Sequence, residues 1–188
     1  MALRTRRTTF ICGAGVLFSL AWVAAPVLAQ SGACVLSPDK RNPTDKILRC
    51  GTELTITPAP GTVYRPAAAG DDGLPSSVQL DSGALLIEFR SKRRHEFQIL
   101  TPQAIASVRG TKWAIEVKPG QTSTLVLTGE VTVARKNDPN TIVVSAGQGV
   151  DVTSLGLPRS MSDAKQEPIA VKQWAPGRVK ELLGRFGQ

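Results

Sequence analysis

Apolar and polar residues alternate along most of this chain in short runs, each closed by a turn-forming residue. Leu54 and Ile56 alternate with threonines and stop at Pro58. Ser77–Leu80 and Ala84–Phe89 flank Asp81-Ser82-Gly83, the pattern of a hairpin with glycine placed for a positive φ. Phe97-Gln98-Ile99 alternates, and Ile105 and Val108 run into Arg109-Gly110-Thr111, which reads as strand, kink, strand. Trp113, Ile115 and Val117 then alternate, with Trp113 expected on the core face. They are followed by Leu125 and Leu127, Val131 and Val133, Ile142-Val143-Val144, and Val150 and Val152. Pro119-Gly120, Gly129, Asn137-Asp138-Pro139-Asn140 and Gly147-Gln148-Gly149 supply the turns. The pattern predicts an all-β fold, a rolled or sandwich-like arrangement of short, mainly antiparallel strands. About seven strands are expected, with a turn roughly every 8–12 residues.

The two ends of the chain break the alternation. Pro176 is placed to start a helix, and Val179, Leu182, Leu183 and Phe186 fall at i, i+3, i+4 and i+7. Arg178, Lys180 and Arg185 occupy the other sides. The stripe could dock on the β domain together with Trp174, bind a partner, or lie on an anionic membrane through residues 174–186. A helix this short is marginal alone in water, so docking is expected. At the other end Arg4, Arg6 and Arg7 precede Phe10–Ala29, which is apolar apart from Ser19, and Val27-Leu28-Ala29 forms a cleavage site before Gln30. This is the build of a secretory signal peptide. An uncleaved anchor is the alternative, because the segment is long enough to span a bilayer. Arg6-Arg7 as a twin-arginine signal, or Ser31-Gly32-Ala33-Cys34 as a lipoprotein site, fits less well. Export to the periplasm, or otherwise into the Gram-negative envelope, is expected either way.

In an exported chain Cys34 and Cys50 are expected to form a disulfide, with Val35–Arg49 an irregular loop between them. A metal or redox dithiol has the wrong spacing. Pro58–Pro75 reads as a connecting loop in which Asp71-Asp72-Gly73 is a solvated turn rather than a calcium site. The expected division is 1–29 signal peptide, 30–75 disulfide loop, first strand and connector, 76–153 main β domain, and 154–188 linker and helix.

Charge adds a partner class. The formal charge is +8. Without Arg4, Arg6 and Arg7, 20 basic residues remain against 15 acidic ones, so 20 − 15 = +5. Arg90, Lys92, Arg93 and Arg94 form one short run, a candidate contact for lipopolysaccharide or an acidic partner. Export and the lack of interleaved aromatics argue against nucleic acid. Catalysis finds little support. The only histidine is His95, within the basic run, there is no Gly-x-Ser-x-Gly elbow, and nothing selects a carboxylate pair. No catalytic, cofactor or metal residues are expected.

Thr101-Pro102, Ala106-Ser107-Val108-Arg109-Gly110-Thr111, Val126-Leu127-Thr128-Gly129-Glu130-Val131 and Ala146-Gly147-Gln148-Gly149 occur in an order and spacing that resembles the FecR domain. The resemblance covers about Val78 to Val152. It implies an all-β extracytoplasmic domain that makes protein contacts without catalysis. In full-length regulators of this family a cytoplasmic segment handles an alternative sigma factor, a transmembrane helix follows, and the periplasmic part contacts a receptor. Here only nine residues precede Phe10, so a stand-alone exported form is the closer comparison. Thr101, Pro102, Val108, Arg109, Gly110, Thr111, Gly129 and Gly147 are then expected to be structural. The Arg109 guanidinium is expected to bond carbonyls or a carboxylate such as Glu116 or Glu130, with a partner anchor as its alternative. The expected function is a non-catalytic periplasmic interaction module that binds a protein or an envelope polymer. The alternatives are a membrane-tethered signalling subunit with an uncleaved anchor and an envelope polysaccharide-active enzyme.

Overall fold

A computed structural model describes residues 34–39, 46–90, 96–154 and 168–188. The segment Phe10–Ala29, the basic residues Lys92, Arg93 and Arg94, and most of the 154–168 connector lie outside the described residues. The elements are β1 (Cys34–Pro38), β2 (Lys46–Cys50), β3 (Leu54–Pro58), β4 (Val63–Pro66), β5 (Ser77–Phe89), β6 (Phe97–Leu100), β7 (Ala104–Val108), β8 (Thr111–Lys118), β9 (Gln121–Thr128), β10 (Glu130–Arg135), β11 (Thr141–Ser145), β12 (Gln148–Thr153), β13 (Val171–Gln173) and α1 (Pro176–Gly184). Over the described residues the fold is all-β with one short C-terminal helix.

All the strands belong to one sheet that folds over on itself. Its hinge is β5. Up to Ser82 this strand pairs with β4 and β6, and from Gly83 onward it pairs with β3 and β8. One layer therefore runs β1-β2-β3-β5-β8-β9-β12-β13 and the other β4-β5-β6-β7-β10-β11. Every pairing is antiparallel except β5 with β6, which is parallel. Leu54, Ile56, Leu85, Ile87, Phe97, Ile99, Trp113 and Ile115 fill the space between the layers and are fully or almost fully buried. Trp113 thus lies on the core face, as its alternation with Ile115 predicts.

Gly83 makes the hinge possible. Its φ is +90°, and a Cβ there would come within 2.7 Å of the Thr62 Cα. The Thr62 hydroxyl lies where that Cβ would go, accepting from Ala84 N–H and donating to Ala84 C=O, both at 3.0 Å. The expected hairpin at Asp81-Ser82-Gly83 is therefore a bend inside one strand of 13 residues. The same turn chemistry serves both outcomes. Here Leu80 and Ala84 each find ladder partners on either side of the bend, and continuous pairing prevails.

Two expected loops are also ordered strand. Val35–Arg49 contains most of β1 and β2, which pair from Cys34↔Cys50 to Pro38↔Lys46. The disulfide Cys34–Cys50, with Cα atoms 4.0 Å apart, ties the first and last residues of this ladder. It also occupies the sulfur that a lipoprotein at Cys34 would need. Pro58–Pro75 contains β4, and Asp72 closes a turn by accepting from Leu74 N–H at 3.0 Å. Proline and charge hid these strands in the sequence: β1 and β4 lie at sheet edges, where proline is tolerated, and the charges of β2, Lys46 and Arg49, take exposed positions.

Helix α1 lies on the outer face of the first layer. Trp174, Leu182 and Phe186, with Val179 and Leu183, pack against Ala59, Ala84, Leu86, Ala114 and Leu125. The alanines give the helix room to approach the sheet. The apolar stripe read from the sequence is therefore used in docking.

Candidate interaction surface

The residues singled out at 101–111 divide into a buried hub and an exposed crossing. Thr101 lies in the β6–β7 turn, 2% exposed. Its hydroxyl accepts from Ala104 N–H at 2.9 Å and shares a 2.9 Å bond with Thr122 on β9. Thr122 gives its own proton to Gln103 Oε1 at 2.8 Å, and the one Thr101 proton is divided between Thr122 and the Ala104 carbonyl, also 2.9 Å away. The hub thereby ties the turn of one layer to a strand of the other, while Pro102 is exposed beside it. Thr101→Val keeps the shape but leaves the Ala104 amide and Thr122 with fewer partners. We expect a loss of about 2 kcal/mol in unfolding free energy, measured by urea denaturation.

Val108 is buried at the end of β7. Gly110, at φ +62°, then turns the chain from the second layer into the first. Gly129 sits against Thr111, and Gly147 donates to the Val126 carbonyl at 2.9 Å. These positions fix backbone. Arg109 does not follow the expected pattern. It is exposed, Glu116 is held by Arg185 and Lys118, and Glu130 faces Ser145. Its place on the outside of the Gly110 turn keeps the guanidinium away from those carboxylates. Arg109→Ala is therefore expected to leave the melting temperature unchanged, within about 0.5 kcal/mol.

Beside this crossing, Glu88, Arg90, Gly110, Thr111, Lys112 and Thr128 line a cleft of about 370 Å³. Glu88 accepts from Lys112 and Arg90, each at 3.0 Å. The Lys112 hydrogen bond is the main reason its carboxyl is held below the usual range. A second cleft of about 420 Å³ shares Glu88 and Arg90 and adds Arg49, Thr55 and Thr57 from β2 and β3. The fold thus sets Arg49 and Lys112, remote in sequence, near Arg90.

A second polar cluster fastens α1. Arg178 donates to both Asp151 oxygens, at 2.8 and 2.5 Å, and to Ser123, while its guanidinium stacks 3.5 Å over the Trp174 ring. Gln121 and Ser123 also donate to Asp151, at 3.0 and 2.7 Å. Burial is the largest single influence on the Asp151 carboxyl and works to raise its pKa. The hydrogen bonds from Arg178, Ser123 and Gln121, with the Arg178 charge, outweigh it and hold the group below the ordinary value. Sequence reading missed this cluster, because nothing around Asp151 marks it as the partner of a helix residue. Its stabilisation is complete above the unfolded value of about 3.9 and is lost as pH falls through the lower folded one. We expect the melting temperature to drop below about pH 4 and Asp151→Asn to flatten part of that drop, as measured by thermal melts across pH.

The remaining feature is apolar. Val35, Leu36 and Val63 are more than half exposed on β1 and β4. Between these strands Leu36, Lys46, Leu48, Pro58, Tyr64 and Pro66 line a groove of about 430 Å³.

The family model "FecR protein" matches residues 51–132. Residues 51–132 form a FecR domain. The match begins at the turn before β3, upstream of the boundary expected at 76, because β3 and β4 complete the same folded sheet. No curated protein matches the sequence. Two crystal structures of a "putative anti-sigma factor" from Parabacteroides distasonis, at 1.65 and 2.50 Å, share the fold. The first has a TM-score of 0.50 at 16% identity, covering 69% of this chain and 56% of its own. The second has a TM-score of 0.53 at 15% identity, covering 81% of this chain and 61% of its own. The chain thus spans less than two thirds of the length of either. In both comparisons the likeness is one of fold. Around the FecR domain, β1 and β2 on one side and β11 to α1 on the other complete the two layers.

Proposed function

We propose that this chain is a non-catalytic, exported binding module of FecR type that recognises a protein or an envelope polymer. The observation that carries this reading is how the fold uses its polar side chains. The hydroxyl and amide groups around Thr101 join the layers, and the cluster around Asp151 fastens a helix. The charged and apolar groups at the surface, Arg90 and Lys112 bridged by Glu88 with Arg49 beside them, and Val35, Leu36 and Val63, are suited to contact rather than to chemistry. Arg90, with Lys92, Arg93 and Arg94 following it in sequence, is the proposed anionic contact.

The test is crosslinking and pull-down from the periplasmic fraction with the full chain and with Arg90, Lys92, Arg93 and Arg94 changed to Ser. A specific partner lost in the variant supports the proposal. Capture unaffected by the change removes that patch, and hydrolysis of an envelope polysaccharide by the purified chain overturns the non-catalytic reading.

A second reading, a membrane-tethered signalling subunit, is favoured by the anti-sigma names of the two fold neighbours and by the apolar segment Phe10–Ala29. Mass spectrometry of the mature N-terminus separates the two. A chain starting at Gln30 supports the free module, and a retained Met1 supports the tethered one.

A further inference from the structure

Among the described residues the folded sheet does not close on itself between β1 and β4: on the first layer β1 pairs with β2 alone, and on the second β4 pairs with β5 alone. Each strand therefore offers an unpaired edge, and the groove of about 430 Å³ lies between them. Leu36 belongs to a row that crosses the layer as Leu36↔Leu48↔Ile56↔Ile87↔Trp113. Every later member of that row is buried, whereas Leu36 is 56% exposed, with no strand opposite it among the described residues. The hydrophobic interior thus opens to solvent along this seam. Free edges are usually guarded by charge, proline or bulges; β4 carries a bulge at Val63/Tyr64, Arg65 and Pro66, whereas β1 has no charged residue and its proline stands only at its last position.

Building on the binding-module reading, we infer that the seam accepts one extended segment of a partner polypeptide as an added strand. That segment is apolar at alternate positions, facing Leu36, Leu48 and Tyr64, and acidic where it meets Lys46. Main-chain bonds to a free edge supply affinity in such contacts, and alternate side chains supply selectivity. Lys46 is the charged residue lining the groove, so the rim favours acid there, whereas Arg65 on the neighbouring β4 is already paired with Asp81 at 3.0 Å. A second copy is a poor fit, since pairing five residues with five buries well below the roughly 1,200 Å² of a stable interface.

The test uses the oxidised full chain and a fluorescein-labelled ten-residue peptide of alternating valine and threonine with glutamate at both ends. Anisotropy titration is expected to show saturable binding. Leu36→Asp is expected to weaken it at least tenfold, while Val143→Asp, at an exposed site on β11, leaves it unchanged. Lys46→Glu, a surface change that keeps the fold, is expected to weaken the glutamate peptide and strengthen one ending in lysine. A peptide with prolines in place of threonines, lacking the backbone donors, is expected not to bind. Absence of binding, equal binding of the proline peptide, or equal binding to Leu36→Asp overturns the inference. A peptide-independent dimer abolished by Leu36→Asp assigns the seam to a second copy. Sedimentation with anionic phosphatidylglycerol vesicles, lost in the same variant, assigns it to a lipid surface. Either result also overturns the inference. If the peptide fails while periplasmic crosslinking still captures a partner through Arg90, the strand-acceptor inference falls and the binding-module reading stands.

Discussion

Trp174→Ala is expected to lower the unfolding free energy by about 3–5 kcal/mol and to release α1 from the sheet. The magnitude follows from what the indole does. It is 8% exposed, its ring covers Gly149 so closely that a Cβ there would lie 2.4 Å from Cε2, and the Arg178 guanidinium stacks 3.5 Å over it. Losing the ring opens a cavity between α1 and the sheet and unstacks the guanidinium that grips Asp151. A helix of nine residues cannot persist without that docking. Leu182 and Phe186, 3% and 2% exposed, would then meet water. Equilibrium denaturation followed by Trp113 fluorescence measures the loss, and hydrogen exchange reports whether the α1 amides lose protection first. A variant that keeps wild-type stability and α1 protection would show that the ring is not what holds the helix. Lys180→Ala, on the exposed side of the helix, serves as the control and should change stability by less than about 0.5 kcal/mol.

The second large effect is expected at Gly83. Alanine at a φ of +90° carries backbone strain of about 1–2 kcal/mol. Its methyl group would also sit 2.6 to 2.9 Å from three atoms of Thr62, one of them the Cα, which cannot swing aside as a side chain can. Relief requires the Thr62 loop to move, breaking the paired hydrogen bonds to Ala84. Together these effects give an expected loss of about 3–4 kcal/mol, or roughly 10 °C in melting temperature for a chain of this size. If Gly83→Ala melts like the parent, β5 does not bend as described. Thr62→Ala tests the other half of the contact. It removes the hydroxyl without straining Gly83 and should cost about 1–2 kcal/mol, less than the glycine change.

Both results bear on function. The Gly83 bend carries β5 from the layer edged by β4 to the layer edged by β1, and so holds open the seam proposed to accept a partner strand. The Trp174 clasp keeps the apolar stripe of α1 folded away. Contact with a membrane through residues 174–186 would require that clasp to open, so Trp174→Ala is also the variant in which vesicle binding should first be sought.

Much of the FecR domain was legible in the sequence because its signals are local. Alternation at Trp113, Ile115 and Val117 reports one buried face whatever the partner strands are. Gly110 marks a bend whether or not its neighbours are known, and the spacing of Val179, Leu182, Leu183 and Phe186 defines a stripe before anything covers it. The edge strands were hidden for a related reason. Prolines in β1 and β4 and charges in β2 and β4 look like loop, and the free edges that make those prolines tolerable exist only in the folded sheet.

By itself, then, the sequence determined the all-β class, the turn positions, the disulfide pair, the helix and the family motif, all of which depend on residue type over a few positions. Only the tertiary structure decided that Asp81-Ser82-Gly83 bends one strand instead of joining two, since that choice rests on which strands flank it. It alone placed Asp151 against Arg178, and Arg49 and Lys112 beside Arg90, through contacts between residues remote in the chain. It alone left Leu36 without an opposing strand, because the closure of a sheet is a property of all its pairings together and of no single segment.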